Sequence, residues 1–156
     1  GREVTVVTNA LPATMALCQR AGVRVMSTGG WLDPASMSWT GAFAEDALNR
    51  VHIKKLFLSS KGVDLERGLS ELDEAQAAIK RRLMAAAEET YLLVDHSKFD
   101  QRAVVYFAAL GEVDAVITDA GTGADEQARL HAAGLRVLVA GAEPTKPDEN
   151  PGEQRP

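Results

Sequence analysis

Polar side chains and glycines stand directly after five short apolar runs, and their types suit the binding of a small hydroxylated anion. The five segments read Thr8-Asn9, Ser27-Thr28-Gly29-Gly30, Ser59-Ser60-Lys61-Gly62, Asp95-His96-Ser97-Lys98 and Thr118-Asp119-Ala120-Gly121. Hydroxyl and carboxylate oxygens form hydrogen bonds with sugar hydroxyls, and a lysine or a helix N-terminus can hold a phosphate. Each segment alone has the composition of an ordinary turn, so it is their recurrence that points to a shared pocket.

The apolar runs have the pattern of strands in a parallel sheet. Val, Ile and Leu cluster at 4–8, 23–27, 56–59, 91–94, 113–118 and 135–140, in continuous rather than alternating order. Such strands, separated by helical segments, are typical of an α/β, Rossmann-like, mostly parallel sheet flanked by helices. Ligands of these sheets bind beyond the carboxyl ends of the strands, where the polar segments lie.

Four segments between the strands have helical periodicity. The clearest opens with a predicted capping box at Ser70-Glu71-Leu72-Asp73 and is expected to run to about Glu89. Its apolar stripe consists of Leu72, Ala75, Ile79, Leu83 and Ala86. The other helices are predicted from Pro12 to near Gly22, over about 43–51 and over 125–133. Because Lys80-Arg81-Arg82 stands opposite the stripe, we expect it to form a solvated face.

Composition limits the classes of protein that this chain can belong to. Its 156 residues carry 17 basic and 22 acidic side chains, a net charge of -5, which is the wrong sign for a module that neutralises nucleic-acid phosphates. The single cysteine, Cys18, cannot form an internal disulfide; we expect a buried, inert thiol and a cytoplasmic location. No apolar run approaches the roughly 18 residues of a membrane span, so no membrane partner is predicted.

The C-terminal end differs from the rest of the chain. Residues 143–156 hold four of the six prolines and have no branched aliphatic or aromatic side chain. Such a segment cannot build a core, so we expect a flexible tail after a single domain over 1–142.

Several catalytic and cofactor motifs are incomplete. Gly121-Thr122-Gly123 lacks the third glycine of a dinucleotide fingerprint, and His52, His96 and His131 have no partner at metal-ligand spacing. Asp95-His96-Ser97 is contiguous, so these side chains point apart and do not form a hydrolase triad. We therefore predict no metal and no cofactor.

The order of motifs resembles that of the C-terminal effector-binding domain of DeoR-type bacterial transcription regulators. The matching segments are Val6-Val7-Thr8-Asn9, Gly29-Gly30, Thr40-Gly41, Lys61-Gly62-Val63-Asp64, Gly68-Leu69, Glu74, Lys80, Asp95-His96-Ser97-Lys98-Phe99 and Val116-Ile117-Thr118-Asp119. The run at 95–99, followed about twenty residues later by Ile117-Thr118-Asp119, is the most specific part.

The resemblance implies a fold related to ribose-5-phosphate isomerase and the CoA-transferases. It also implies a sensor of a phosphorylated sugar or related metabolite, acting in a repressor of sugar catabolism. In the family this domain follows a helix-turn-helix that binds operator DNA, and a strand with an Asp-Ser-Gly-Thr-Thr loop precedes the match to Val4. We expect both to precede Gly1, so that operator DNA is a partner only through the missing domain. A homo-oligomer is expected too, with candidate contacts at 31–39 and 104–110.

The resemblance also assigns roles to individual residues. Asn9 and Gly30 would line the sugar pocket, Asp64 and Asp95 would accept its hydroxyls, and Lys98 would meet the anionic group. Lys61 is either a further anion contact or an exposed loop lysine. With Asp119 added from the last motif, the candidates for ligand binding are Asn9, Gly30, Lys61, Asp64, Asp95, Lys98 and Asp119.

Two other functions remain open on the sequence. One is a sugar-phosphate isomerase that uses Asp64 or Asp95 as a general base. Lys61 stands where the isomerase relatives carry an acidic residue, which removes one carboxylate of the expected pair and favours sensing over catalysis. The other is a pure oligomerisation domain, in which the polar segments serve only as turns.

Overall fold

The computed structural model of the protein describes residues 3–141, which form eleven strands and four α-helices. The strands are β1 (Val4–Thr8), β2 (Val23–Ser27), β3 (Trp31–Asp33), β4 (Ser38–Thr40), β5 (Ile53–Leu58), β6 (Gly62–Asp64), β7 (Gly68–Glu71), β8 (Ala87–Leu93), β9 (Val105–Ala108), β10 (Ala115–Thr118) and β11 (Arg136–Val139). The helices are α1 (Leu11–Leu17), α2 (Ala42–Leu48), α3 (Glu74–Ala85) and α4 (Ala124–Ala132), with 3-10 turns at His96–Lys98 and Leu110–Glu112. The predicted tail, 143–156, lies outside the described residues.

A four-stranded parallel sheet forms the centre of the fold. Its strand order is β11-β10-β8-β5, and β1 and β2 form a separate parallel pair. Helix α3 contacts β5 and β8 of the central sheet, α4 contacts β11, and the sheet buries Leu58, Leu92 and Val116. This arrangement confirms the α/β, mostly parallel fold expected from the continuous apolar strands.

Two antiparallel units accompany the parallel sheet, and the strand prediction missed both. Strands β3 and β4 form a hairpin that pairs Trp31 with Thr40 and Leu32 with Trp39. Strands β6, β7 and β9 form a small sheet whose centre is β7. These strands have three or four residues each, too short to show a period in the sequence.

The predicted start and end of helix α3 are wrong. Ser70 belongs to strand β7, and the true N-cap is Asp73, whose side chain accepts a hydrogen bond from Gln76 N at 2.9 Å. The helix ends at Ala85, because the residues after it pair with β5 as the first part of β8. Strand hydrogen bonding to a neighbour thus overrides the helical propensity of Ala87–Leu93.

Other boundaries differ by smaller amounts. Strand β5 begins at Ile53 rather than at 56, and β11 is two residues shorter than predicted. Cys18 is exposed, not buried as predicted, because it lies at the C-cap of α1, a helix with no buried residues. Within residues 3–141, every helix is too short or too polar to cross a lipid bilayer.

Candidate functional site

A cavity of about 600 Å³ opens at the carboxyl ends of β1, β5 and β8. The residues after these strands supply one part of its lining, namely Asn9, Ser59, Ser60, Lys61, Asp95 and Lys98. The β3–β4 hairpin and the start of α3 supply another part, namely Asp33, Ser36, Ser38, Asp73, Gln76 and Lys80. Parallel strands bring residues that are distant in the chain to one edge of the fold, as expected for a ligand site.

Four of the predicted site residues meet in this cavity: Asn9, Lys61, Asp95 and Lys98. Asn9 also joins β1 to the hairpin, since its Nδ2 donates to Trp39 O at 3.2 Å and its carbonyl accepts from Trp39 N at 2.7 Å. The hairpin is therefore fixed against the strand end that forms the cavity.

Asp95 caps the 3-10 turn that carries Lys98. Its carboxylate accepts hydrogen bonds from the Ser97 hydroxyl and from Ser97 N. The Ser97 side chain, then the Ser97 backbone and then the nearby Lys98 charge hold the pKa of Asp95 below its usual range. Asp95 is consequently ionised at neutral pH and can accept hydrogen bonds from a ligand.

Lys80 is mostly buried, which corrects the prediction that it belongs to a solvated face, whereas Arg81 and Arg82 are exposed as predicted. Its Nζ pairs with the Glu71 carboxylate and donates to Ser59 O at 2.6 Å. The two side chains are only 15% and 4% exposed. Burial lowers the pKa of Lys80 from its usual value, although Glu71 opposes that shift. Helical periodicity alone could not show that Lys80 is mostly buried. The groups that bond to Lys80 come from Glu71 at the end of β7 and from Ser59 directly after β5.

The remaining predicted residues, Gly30, Asp64 and Asp119, do not line the cavity. Gly30 has a φ of +108°, and an added Cβ would lie 2.6 Å from Thr40 O, so glycine is needed where β3 and β4 pair. It lines a separate recess beside Trp31 and Phe43.

The Asp64 carboxylate holds the turn after β6 and also forms an ion pair. Its carboxylate accepts from Glu66 N at 2.9 Å and Arg67 N at 3.0 Å, and it pairs with Arg102. These bonds, the Arg67 backbone first, lower the pKa of Asp64. The carboxylate is engaged within the fold.

Asp119 pairs with His96 instead of facing the cavity. It accepts from His96 N and lies against His96 Nδ1, each at 2.8 Å. The hydrogen bond that His96 Nδ1 donates to the Asp119 carboxylate raises the pKa of His96 and lowers that of Asp119. The spacing of about twenty residues between the 95–99 run and Asp119, noted in the sequence, thus allows His96 and Asp119 to join the ends of β8 and β10.

The cavity can bind an anion but is poorly suited to proton transfer. Lys61 and Lys98 supply positive charge, and serine hydroxyls and carboxylates can bond to ligand hydroxyls. A general base works best with a pKa near the working pH, whereas the pKa values of Asp64 and Asp95 are both lowered. Among the residues that the structure describes, no three His, Cys, Asp or Glu side chains form a metal-binding group.

Comparisons with known proteins agree on one family. A family model described as the DeoR C terminal sensor domain matches residues 1–120. The chain is 40% identical over 119 residues to an uncharacterised HTH-type transcriptional regulator, YulB, of Bacillus subtilis, covering 76% of this chain and 46% of that protein. It is 34% identical over 139 residues to a putative aga operon transcriptional repressor of Escherichia coli O157:H7, covering 89% and 52%. It is 33% identical over 115 residues to an L-fucose operon activator of Haemophilus influenzae, covering 74% and 46%.

The parallel sheet with a polar cavity at its strand ends defines an α/β domain with a candidate ligand site. More particularly, the chain belongs to the family of DeoR C-terminal sensor domains, which confirms the resemblance found in the sequence. It spans about half the length of the curated relatives that it matches.

Proposed function

We propose that this chain is the effector-sensing domain of a DeoR-type transcription regulator, and that a phosphorylated sugar or related metabolite binds in the strand-end cavity. The observation that carries the proposal is the meeting of Lys61 and Lys98 with Asn9 and Asp95 in one cavity. A lysine ammonium is a common phosphate ligand in proteins, and the other two side chains bond readily to hydroxyls.

The proposed regulator binds operator DNA through a helix-turn-helix in the longer protein, and effector binding changes its affinity for the operator. The names of the relatives support this class, since they are HTH-type regulators, an aga operon repressor and an L-fucose operon activator. Coupling requires that the effector bind more tightly to one state of the regulator than to the other. We favour a repressor of sugar catabolism that works as a homo-oligomer.

An isomerase is the less favoured function. It needs a carboxylate that can take a proton from the substrate at neutral pH. Asp64 is paired with Arg102 outside the cavity, and Asp95 is held ionised by Ser97. Lys61 lines the cavity where a second carboxylate would be needed.

A thermal-shift screen of the 156-residue chain tests the proposal. The probes are ribose 5-phosphate, fructose 1-phosphate and glucose 6-phosphate, each beside its unphosphorylated sugar. A ligand at 100 times its Kd stabilises by about 2.7 kcal/mol, which raises the Tm of a domain this size by roughly 5–10 °C. Lys98→Ala is the test variant, and Lys54→Ala, an exposed lysine that does not line the cavity, is the matched control.

The expected result is a rise in Tm that needs the phosphate group, persists in Lys54→Ala and is lost in Lys98→Ala. A rise that is equal in both variants would place binding elsewhere. If the chain converts ribose 5-phosphate and this activity is lost in Asp95→Asn, the isomerase hypothesis would be favoured instead.

A further inference from the structure

Two aromatic side chains form an exposed apolar patch where the β3–β4 hairpin meets the start of α2. Trp31 and Phe43 are each 76% exposed. They line a recess of about 470 Å³ together with Thr28 and Gly30, and none of these side chains is charged. Because soluble monomers rarely expose large apolar patches, a patch of this kind commonly marks an interface.

The outer edge of β3, next to this patch, pairs with no other strand of residues 3–141. Along its inner edge β3 pairs with β4, which places Leu32 opposite Trp39. Trp39 N donates to Asn9 O at 2.7 Å, and Trp39 O accepts from Asn9 Nδ2 at 3.2 Å, so both main-chain groups of Trp39 point away from β3. Leu32 and Trp39 are therefore a non-hydrogen-bonded pair of the ladder, and the N–H and C=O of Leu32 point to the outer edge.

The outer edge of β3 lacks the charged side chains that commonly protect the edges of sheets from pairing. Residues 31–40 contain no lysine or arginine. The Asp33 carboxylate is directed into the hairpin turn, where it accepts from Ala35 N at 3.1 Å and from the Ser36 hydroxyl at 2.5 Å. Pro34 follows β3 directly and has no N–H, so any pairing at this edge is confined to the short strand itself.

An antiparallel edge of this kind is complementary to itself. A second copy related by a twofold axis places its own Leu32 opposite the first, and the two residues then exchange both N–H···O=C hydrogen bonds. The new bonds use main-chain groups that β4 leaves free, so no bond within the hairpin is lost. Each chain carries a net charge of -5, and two copies repel each other least where their surfaces are uncharged, as around Trp31 and Phe43.

The exposed apolar area indicates how strong this contact can be. A buried aromatic side chain removes about 150–250 Å² from water, so Trp31, Phe43 and the 43% exposed Leu32 together offer roughly 400 Å² per chain. An interface of standard size buries about 800 Å² per partner. The patch supplies about half of that area, and we expect a reversible dimer in which Trp31 contributes most of the binding energy.

We propose that the outer edge of β3 is a homodimer interface, in which Leu32 pairs with the same residue of a second copy and Trp31 packs against that copy. The dimer supplies a contact surface for the homo-oligomer of the proposed function. It forms without an effector, so it can be tested apart from sugar-phosphate binding.

Analytical ultracentrifugation of the 156-residue chain over a series of concentrations tests the dimer. The mass of the wild-type species should rise from 16.7 kDa toward twice that value as the concentration increases. Trp31→Lys places a charge at the edge, and Leu32→Pro removes the outward N–H without loss of a bond within the hairpin. Each should raise the Kd of the dimer about tenfold or more.

The matched controls are Phe57→Lys and Val104→Lys. Phe57 and Val104 are 57% and 78% exposed and lie outside the hairpin, so both variants should dimerise as the wild-type chain does. Tm values close to that of the wild-type chain show that a variant is folded. If Leu32→Pro is not folded, Trp31→Lys alone decides the result, because its side chain is mostly exposed.

Oxidative cross-linking tests the register of the two strands. Residues in a hydrogen-bonded antiparallel pair have Cα atoms about 5.5 Å apart, a separation that a disulfide can bridge. Cys18→Ser removes the exposed native thiol from the background. In that background Leu32→Cys should form a disulfide-linked dimer, whereas Val104→Cys, at a more exposed position, should remain monomeric.

Three results would overturn this interface. The first is a wild-type chain that stays monomeric at every concentration. The second is a dimer whose Kd is unchanged in Trp31→Lys but raised in Phe57→Lys, which would place the contact on the central sheet. The third is equal cross-linking of Leu32→Cys and Val104→Cys. The proposed function does not depend on any of these results, because the thermal-shift screen decides it separately.

Discussion

Removal of the Lys80 ammonium should destabilise the chain strongly, because it leaves the Glu71 carboxylate buried without its partner. The Lys80 and Glu71 side chains are 15% and 4% exposed, and Lys80 Nζ also donates to Ser59 O at 2.6 Å. Breaking a buried ion pair from one side costs about 3–5 kcal/mol. We expect Lys80→Met to lower the free energy of unfolding by that amount, a large part of the roughly 5–15 kcal/mol available to a domain.

Two comparisons make the Lys80 prediction specific. The double variant Lys80→Met with Glu71→Leu removes both charges and should recover most of the loss, since apolar replacement of a buried pair is often neutral or stabilising. Arg81→Met is the surface control, because Arg81 and its partner Glu74 are 40% and 68% exposed. Arg81→Met should lower the free energy of unfolding by about 0–1 kcal/mol.

Urea unfolding followed by circular dichroism measures these differences by linear extrapolation. If Lys80→Met is too unstable to give a native baseline in the urea curve, the Tm values of Lys80→Met and of the double variant are compared instead. They should rank the two variants in the same order of stability. A loss below about 1 kcal/mol in the free energy of unfolding of Lys80→Met would refute the reasoning. Removal of one partner from a buried ion pair should cost more stability than removal of one partner from an exposed ion pair. A double variant as unstable as the single variant would refute it too.

Two further predictions concern a histidine and a glycine. The hydrogen bond that His96 Nδ1 donates to Asp119 raises the pKa of His96 above its usual 6.5. This pair therefore stabilises the fold fully below the unfolded-state pKa of His96, and it loses that effect as the pH rises through the folded-state pKa. An NMR titration should find a lower His96 pKa in Asp119→Asn, and an unchanged value would contradict the pairing. Gly68 has a φ of +95°, and an added Cβ would lie 2.1 Å from Ala108 O. Gly68→Ala should lower the free energy of unfolding, measured in urea, by about 1–3 kcal/mol or more. Gly111→Ala is the control, because an added Cβ there meets nothing within 4 Å. An equal loss of stability in both variants would contradict backbone strain at Gly68.

The parallel part of the fold was predictable for two reasons. The strands are marked by the residues within each strand, and the carboxyl ends of neighbouring parallel strands always lie at the same edge of a sheet. Strands β1 and β2 lie at the predicted residues, because their valine and threonine side chains favour strand conformation, although neither strand is buried on both faces. Because β5 and β8 are parallel neighbours in one sheet, their carboxyl ends share an edge, and Lys61 and Lys98 were expected to meet there. Asn9 follows β1 in the separate β1–β2 pair and lines the same cavity.

The early parts of β5 and β8 were not predictable from local pattern. Lys54 and Lys55 follow a predicted helix and are not apolar, and the first three residues of Ala87–Leu93 fall within the predicted extent of the α3 helix. They become strand because each pairs with the other, Ile53 with Ala87 and Lys55 with Glu89. Pairing between segments more than thirty residues apart leaves no trace in either segment alone.

The hairpin shows why one side of the cavity was harder to predict than the edge that carries Lys61 and Lys98. Lys61 and Lys98 follow strands that the sequence reveals, whereas Ser36 and Ser38 owe their place to a three-residue strand held by Asn9 and Gln76. A wall built from short strands and turns can change its polar residues without altering the hydrophobic pattern of the sheet.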